Sequence, residues 1–252
     1  MAHELTMNER RFFQENGYLI LRGAVEKQLM DRVKSQLWEA VDDPHDDLEA
    51  WAKRDNIRLD RPEEHKNGAM LELSQHANTW GICEQLVGRE TINDPSGVDV
   101  LITCPRPAAD WDMPGHGHLD GFNVKGEYHA FTVGFTAYGL PVGHKGGAFT
   151  YWPGSHHKAW EHFQKNDYLD AEGIDSFTGR PGLGADLGPG DEFVGKPGDI
   201  LFWHNLLTHT GSGNIGTAPR FGLIARFTRH DIAGVIEDRK ADLWDYWGGI
   251  PT

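Results

Sequence analysis

The residues best suited to chemistry lie in the segment 114–123, which reads PGHGHLDGFN. Side chains at positions i and i+2 of a strand share one face, so His118 and Asp120 can be directed at a single point. Two neutral imidazoles and one carboxylate suit Fe(II), and they leave three coordination positions for a chelating cosubstrate and O₂. A second histidine ligand must therefore come from elsewhere in the chain.

A second segment, residues 198–227, carries a histidine, a turn and an arginine in an order that suits such a cosubstrate. His209 and Arg220 lie eleven residues apart, and a hairpin of that length returns the arginine close to the histidine. One end of a 2-oxo dicarboxylate could chelate the metal while its far carboxylate pairs with a guanidinium. Arg226 lies on the same strand face as Arg220 and competes for this role.

Other histidines compete for the metal. The chain contains 14 of them. His116 shares the strand face of His118 and Asp120, and His204 lies five residues before His209. Because an HxD tripeptide also occurs by chance, composition and spacing alone leave the ligand set open.

The first part of the chain predicts helices around one strand. A short helix is expected over 7–16, ending at Gly17, followed by a strand over 18–23. In 26–41 apolar residues recur every fourth position, which predicts a helix with one buried stripe. The segment 42–70 is polar and charge-rich, which favours a long surface excursion that could serve as a lid, and 79–87 predicts another helix.

From residue 98 onward the pattern changes to short β-rich runs separated by Gly, Pro and Asn. The predicted strands are 98–103, 129–140, 148–152, 199–207 and 220–227, and a closing helix is expected around 236–246. No alternation of strands with helices is visible, which favours a β-sandwich or barrel with helices packed outside.

Composition argues against several classes of partner. The chain has 252 residues, 38% of them hydrophobic, and a formal net charge of −14, so nucleic acid is not an expected partner. No apolar run reaches the length of a signal peptide or a membrane-spanning helix, so no membrane partner is expected. Two cysteines, Cys83 and Cys104, make no disulfide framework, which favours a cytoplasmic location.

Five ordered segments together resemble the phytanoyl-CoA dioxygenase family of Fe(II)- and 2-oxoglutarate-dependent oxygenases. FFQENGYLILRGAVEKQLMDRVKSQL is similar to the family's opening helix, Gly-Tyr, strand and helix. HLD at 118–120 matches the HxD motif, and GGAFTYWPGSHH at 146–157 matches the strand leading into PGSH. GDILFWHNLLTH at 198–209 matches the strand with the distal histidine, and Asn214 and Arg220 fall at the family's turn Asn and cosubstrate Arg.

This resemblance implies a mainly β fold with flanking helices, the double-stranded β-helix (jelly roll, cupin-like). We expect one dioxygenase domain over residues 1–252, with mainly helical support and a lid in 1–97. The barrel core would occupy 98–230 and a closing helix 231–252.

The resemblance also implies the roles of individual residues. His118, Asp120 and His209 would be the iron ligands, and Arg220 would bind the far carboxylate of 2-oxoglutarate. Many members have a Ser two residues after the distal His, where this chain has Gly211. A neighbouring hydroxyl could substitute, and the candidates are Thr210 and Ser212. His116 and His204 would then lie outside the ligand set, next to the site or the substrate.

The reaction follows from the same resemblance. Fe(II) is the expected metal, 2-oxoglutarate and O₂ are the expected cosubstrates, and ascorbate is a candidate reductant. Decarboxylation would release succinate and CO₂ while a C–H bond of the substrate is hydroxylated. Halogenating relatives lack the carboxylate ligand, so Asp120 favours hydroxylation over halogenation.

The sequence defines the substrate least. Loops at 42–70, 104–117 and 157–190 are expected over the barrel mouth. Candidate lining residues are Arg106, Trp111, Asn123 and Trp152. A CoA ester would need several cations near the mouth, so the acidic chain favours a small free molecule. Two alternatives stay open: a cupin-type metal enzyme that does not use 2-oxoglutarate, and a non-catalytic β-barrel binding protein.

Overall fold

The computed structural model describes residues 2–41, 47–59, 68–120, 133–168, 176–178, 187–232 and 242–251. The helices in these ranges are α1 (Met7–Asn16), α2 (Lys27–Val41), α3 (Leu48–Ala52), α4 (Gly68–Gln75), α5 (Trp80–Val87) and α6 (Ser155–Phe163). The strands are β1 (Tyr18–Leu21), β2 (Ile57–Leu59), β3 (Asp99–Thr103), β4 (Val133–Tyr138), β5 (Phe149–Tyr151), β6 (Asp191–Phe193), β7 (Ile200–His204), β8 (His209–Gly211) and β9 (Arg220–Phe227). The predicted class, mainly β with flanking helices, is confirmed.

The strands form two antiparallel sheets. The large sheet has the order β1-β7-β4-β9-β3-β2, and the small sheet has the order β6-β5-β8. Strand β9 lies inside the large sheet and pairs along its length with β4 on one side and β3 on the other. Its backbone is therefore held on both edges.

Alternation along β7 separates the two apolar layers of the molecule. Ile200 and Phe202 belong to the core shared with the helices. Leu201 and Trp203 belong to a second core, which includes Phe149 of the small sheet. The second core therefore fills the space between the two sheets.

Strand β9 follows the same alternation. Ile224 belongs to the core between the sheets. The helix-side core contains Phe221, Leu223, Ala225 and Phe227. Because residues two apart share a face, Arg220 and Arg226 point with Ile224 into the space between the sheets.

Helix α1 begins and ends where the sequence predicts. The Thr6 side chain and the Glu9 side chain form a reciprocal capping box at its start. Gly17 ends it in the left-handed conformation with φ 76°. A Cβ at Gly17 would lie 2.5 Å from the His156 Nδ1, so the close approach of α6 also requires glycine there.

The expected surface excursion over 42–70 is wrong in part. Helix α3 and strand β2 lie within it, and α4 begins at Gly68; residues 42–46 and 60–67 lie outside the described ranges. Strand β2 pairs with β3, and Trp51 is buried against Trp38 and Phe221. Charged neighbours hide these short elements in the sequence, and tertiary contacts add to the Asp47 cap that begins α3.

The closing helix predicted for 236–246 is absent from the described part of that range, residues 242–246. Residues 233–241 lie outside the described ranges, and 242–246 form turns. The Asp242 carboxylate accepts a hydrogen bond from the Trp244 backbone N–H, and Trp247 stacks on His204 at 4.6 Å. Aromatic packing thus positions this segment.

Among the described residues, no helix is long and apolar enough to cross a membrane.

Candidate metal centre

The backbone brings His118 and His209 together. The two residues form an isolated antiparallel bridge, with N–H···O distances of 2.9 and 3.0 Å in the two directions. Their rings lie 4.6 Å apart. A Cβ at the preceding Gly117 would lie 2.6 Å from the Trp152 ring and 2.7 Å from the His209 carbonyl oxygen, so glycine permits this pairing.

Asp120 completes a cluster of three donor groups. Its Oδ1 lies 3.3 Å from the His118 Nε2, and its Oδ2 lies 3.5 Å from the His209 Nε2. One possible ligand atom from each residue lies within 4.8 Å of the others. In the described part of the chain this is the one group of His, Cys, Asp and Glu side chains with the geometry to hold a metal ion.

The surroundings of His209 keep its Nε2 available as a ligand. Its Nδ1 lies 2.9 Å from the Leu207 carbonyl oxygen, which can only accept, so Nδ1 carries the proton. Phe149 stacks on the ring at 4.9 Å, and Trp203 contacts it at 4.5 Å. Burial lowers the pKa of His209 although Asp120 opposes that change, so the ring stays neutral near pH 7.

Asp120 stays ionised. Burial alone would raise its pKa, but His209, His118 and Arg226 outweigh that effect and hold the pKa well below its usual range. A neutral imidazole beside an ionised carboxylate is the donor set that a divalent metal requires. The chemistry of these three side chains therefore fits Fe(II).

Arg220 is a buried cation. Its Nε donates to the Gly147 carbonyl oxygen at 2.6 Å, and its Nη1 donates to the Leu101 carbonyl oxygen at 3.2 Å. Burial lowers its pKa, an effect that Tyr138 opposes. Among the described residues it forms no ion pair with a carboxylate. A buried guanidinium in this state fits an anionic ligand.

Two glycines make room for the Arg220 side chain. A Cβ at Gly222 would overlap the Nη1, and a Cβ at Gly211 would lie 3.1 Å from the Nη2. The guanidinium therefore lies over its own strand and beside the residue two positions after His209. Gly211, where many family members have Ser, is thus one of the two positions at which a Cβ would crowd the Arg220 guanidinium.

Arg226 has the opposite surroundings. Its Nε and Nη2 donate to the Asp120 Oδ2 at 2.8 and 2.6 Å, and its Nη1 donates to the Asp99 Oδ2 at 2.9 Å. Sequence reasoning missed Asp99. The signal was present, because Asp99 is the second residue of the predicted strand 98–103, but the register of β3 against β9 is what places it beside Arg226.

The two hydroxyl residues predicted to help hold the cosubstrate receive less support than Arg220. Thr210 follows His209 in β8, so strand alternation turns it to the opposite face. The Ser212 Oγ lies 3.4 Å from the Glu192 Oε1. Their roles at the cosubstrate remain predictions.

Two of the predicted substrate-lining residues make contacts to the backbone. Arg106 donates to the carbonyl oxygens of Pro105 and Arg54. The Trp111 Nε1 donates to the Gly213 carbonyl oxygen at 3.0 Å. Both residues are partly exposed.

Trp152 and Asn123 are the other two predicted lining residues. Trp152 is buried, lies against Gly117, and donates from its Nε1 to the Gly188 carbonyl oxygen. Asn123 lies outside the described residues.

The competing histidines are not in the cluster. His116 is exposed. His204 stacks on Trp247, and its Nδ1 accepts a hydrogen bond from the Leu206 backbone N–H. It packs on the helix side of β7, whereas Trp203 beside it contacts His209.

A family model and a relative match most of the chain. The model of the phytanoyl-CoA dioxygenase family matches residues 13–222. The 1-deoxypentalenic acid 11-beta-hydroxylase of Streptomyces exfoliatus is 23% identical over 217 residues, which are 83% of this chain and 75% of that protein.

Solved structures share the architecture. The alpha ketoglutarate dependent carbocyclase SnoK from nogalamycin biosynthesis matches with TM-score 0.59 and 16% identity, over 90% of this chain and 85% of that one. The epimerase SnoN, in complex with Fe3+, alpha ketoglutarate and nogalamycin RO, gives 0.59 at 17% over 88% and 82%. HygX from Streptomyces hygroscopicus, with nickel, 2-oxoglutarate and hygromycin B, gives 0.55 at 15% over 90% and 88%. The predicted jelly roll is thereby confirmed.

Proposed function

The chain belongs to the phytanoyl-CoA dioxygenase family of Fe(II)- and 2-oxoglutarate-dependent oxygenases, and from this premise we propose that it hydroxylates a C–H bond of a small free molecule. Substrate, 2-oxoglutarate and O₂ become hydroxylated substrate, succinate and CO₂. One observation carries the proposal. The donor cluster of His118, Asp120 and His209 shares the space between the sheets with Arg220, a buried cation that pairs with no carboxylate in the described ranges.

His118, Asp120 and His209 would hold the iron. Iron bound with 2-oxoglutarate and O₂ supplies the oxidising power for the C–H bond. The protein's part is to keep Asp120 ionised and His209 neutral, and to fix the His209 ring through the Leu207 carbonyl oxygen. Because three protein side chains would hold the metal, coordination positions would remain for the cosubstrate.

Arg220 would bind the far carboxylate of 2-oxoglutarate. A guanidinium that is removed from water and already oriented by two carbonyl oxygens can accept a carboxylate with two parallel hydrogen bonds. Ile224 lies between Arg220 and Arg226 on the same face of β9, so this strand presents one apolar side chain between the two arginines. A buried apolar side chain at that point limits water beside the reacting groups.

The substrate would approach from the side of His118. The His118 side chain is 54% exposed, whereas that of His209 is 5% exposed, so the cluster is open to solvent on the His118 side. The net charge of −14 disfavours a CoA thioester, which carries several phosphate charges. The named relatives act on or bind compounds such as 1-deoxypentalenic acid, nogalamycin and hygromycin B, which supports a free small molecule.

The deciding experiment is anaerobic reconstitution with Fe(II) and 2-oxoglutarate, followed by O₂ and a panel of free acids, amines, terpenoids and CoA esters. We expect succinate release that depends on a free molecule, and a product heavier by one oxygen atom. Turnover only with CoA esters would overturn the substrate class. A product of unchanged mass, or one lacking two hydrogens, would overturn hydroxylation. Metal-dependent chemistry without consumption of labelled 2-oxoglutarate would favour the cupin-type alternative.

Variants test the ligand set. Asp120→Ala or His209→Ala should abolish substrate-dependent succinate formation, because each removes one of three metal donors. Arg32→Gln is a matched control, because it breaks an exposed ion pair with Glu72 on the helical side. Turnover in Asp120→Ala equal to that of the Arg32→Gln control would refute the assignment.

A further inference from the structure

The Asp120 carboxylate belongs to a series of ion pairs that joins three segments of the protein. Arg226 places two N–H groups on one oxygen of Asp120, at 2.8 and 2.6 Å. Its third nitrogen donates to Asp99 at 2.9 Å. Asp99 lies on β3 and Arg226 lies on β9. These two strands are paired neighbours, so Asp99 and Arg226 belong to the same sheet.

Within the described ranges, the backbone pairing nearest to Asp120 lies at His118. The segment that carries Asp120 is tied to the small sheet at His118, through the isolated bridge to His209. Asp120 itself lies two residues beyond that bridge. Its carboxylate can therefore rotate unless a side chain holds it, and a ligand that rotates binds a metal less well.

The contacts of Arg226 also identify which carboxylate oxygen is available. Oδ2 accepts both hydrogen bonds from Arg226 and lies 3.5 Å from the His209 Nε2, whereas Oδ1 lies 3.3 Å from the His118 Nε2 and accepts no hydrogen bond from Arg226. The guanidinium lies over the Trp203 ring, 5.8 Å from its centroid, which limits its movement on that side. Arg226 is already engaged by two acidic residues, so it is a poor partner for a third carboxylate from 2-oxoglutarate.

We propose that Arg226 is a positioning residue for the metal centre: it fixes Asp120 so that Oδ1 is offered to the metal, and Asp99 fixes Arg226 in turn. This inference rests on the proposed function, since it takes His118, Asp120 and His209 as the ligands. A single oxygen offered by Asp120 leaves one more coordination position for the cosubstrate than a two-oxygen contact would.

Metal binding without turnover gives the first test. We would measure the dissociation constants of Mn²⁺ and Co²⁺ by calorimetry for wild type, Arg226→Gln, Arg226→Lys and the Arg32→Gln control. Loss of an outer partner of a ligand costs about 10-fold or more in affinity, so Arg226→Gln should bind about 10-fold more weakly. Arg226→Lys keeps the charge but cannot place two N–H groups on one oxygen, and it should lose nearly as much.

A spectroscopic readout separates positioning from general destabilisation. The visible absorption of the Co²⁺-loaded protein reports ligand number and geometry, and it should change in Arg226→Gln but not in Arg32→Gln. Asp99→Asn keeps an acceptor for the Arg226 Nη1 without the charge, so it should weaken metal binding less than Arg226→Gln. If Arg226→Gln does not fold, Arg226→Lys and Asp99→Asn carry the test.

The outcomes distinguish this inference from the proposed function. Wild-type protein that binds neither metal would contradict the proposed function itself. Wild-type binding with unchanged or tighter binding in Arg226→Gln and Arg226→Lys would overturn only the role of Arg226. Wild-type affinity in Arg226→Lys with weakened Arg226→Gln would mean that charge, not geometry, is what Arg226 supplies, and would overturn positioning.

Discussion

The two ends of strand β9 carry the same residue type in opposite surroundings. Arg220 and Arg226 lie six residues apart on one face of the strand and point into the same space between the sheets. Arg226 lies between two carboxylates, whereas Arg220 donates to backbone carbonyl oxygens. A buried charge without a counter-charge costs several kcal/mol. Arg226 is therefore already paired within the protein, and this difference supports our proposal that Arg220 is the one that binds an anion.

The largest expected effect comes from removing Arg220, which pairs with no carboxylate in the described part of the chain. Arg220→Ala should raise the KM for 2-oxoglutarate by about 100-fold, because a buried charge-assisted pair is lost. Succinate release at varied 2-oxoglutarate measures this. The Mn²⁺ dissociation constant should stay unchanged. An unchanged KM together with weaker metal binding would exchange the roles of the two arginines.

A smaller effect should follow from filling the space that Arg220 occupies. A Cβ at Gly222 would overlap the Arg220 Nη1, so Gly222→Ala should raise the same KM by about 10-fold through displacement of the guanidinium. Gly143→Ala is the matched control, because a Cβ there meets nothing within 4 Å. A KM for Gly222→Ala equal to that of the control would mean that Arg220 does not act from the position seen here.

Gly211 contacts the same guanidinium less closely. A Cβ there would lie 3.1 Å from the Nη2, a distance that the side-chain end can relieve by a small shift. Gly211→Ser, which restores the residue common in the family, should change the KM for 2-oxoglutarate by less than about threefold. An increase as large as that of Gly222→Ala would show that Arg220 cannot shift at all.

The smallest expected effect is the energetic coupling between substitutions at Arg220 and Arg226, which lie at the two ends of β9. Their Cα atoms lie roughly 20 Å apart at the rise of an extended strand, so substitutions should act independently. Without 2-oxoglutarate, the Mn²⁺ dissociation constant of the Arg220→Ala/Arg226→Gln protein should equal that of Arg226→Gln within about twofold. A larger difference would show that the two arginines act on one ligand.

Local signals predicted some elements closely. Helix α1 has its bounds because a capping box at Thr6 and a glycine at 17 act within one turn of the chain. Strand β9 coincides with the predicted run 220–227 because it is buried on both faces and reads as a continuous apolar stretch with two arginines. In contrast, β6 and β8 have three residues each, too few to show a period.

Short-range sequence features identify the ingredients of the site: an HxD pair that shares a strand face, a distal histidine followed eleven residues later by an arginine, and an ordered set of family segments. Strand alternation and short-range spacing are local properties, so a single chain can be examined for them. Only the tertiary structure separated His118 and His209 from His116 and His204, and Arg220 from Arg226. The distinction among the histidines depends on the bridge that pairs His118 with His209, and the distinction between the arginines depends on the register that brings Asp99 of β3 beside β9; in both cases the paired residues lie far apart in the sequence.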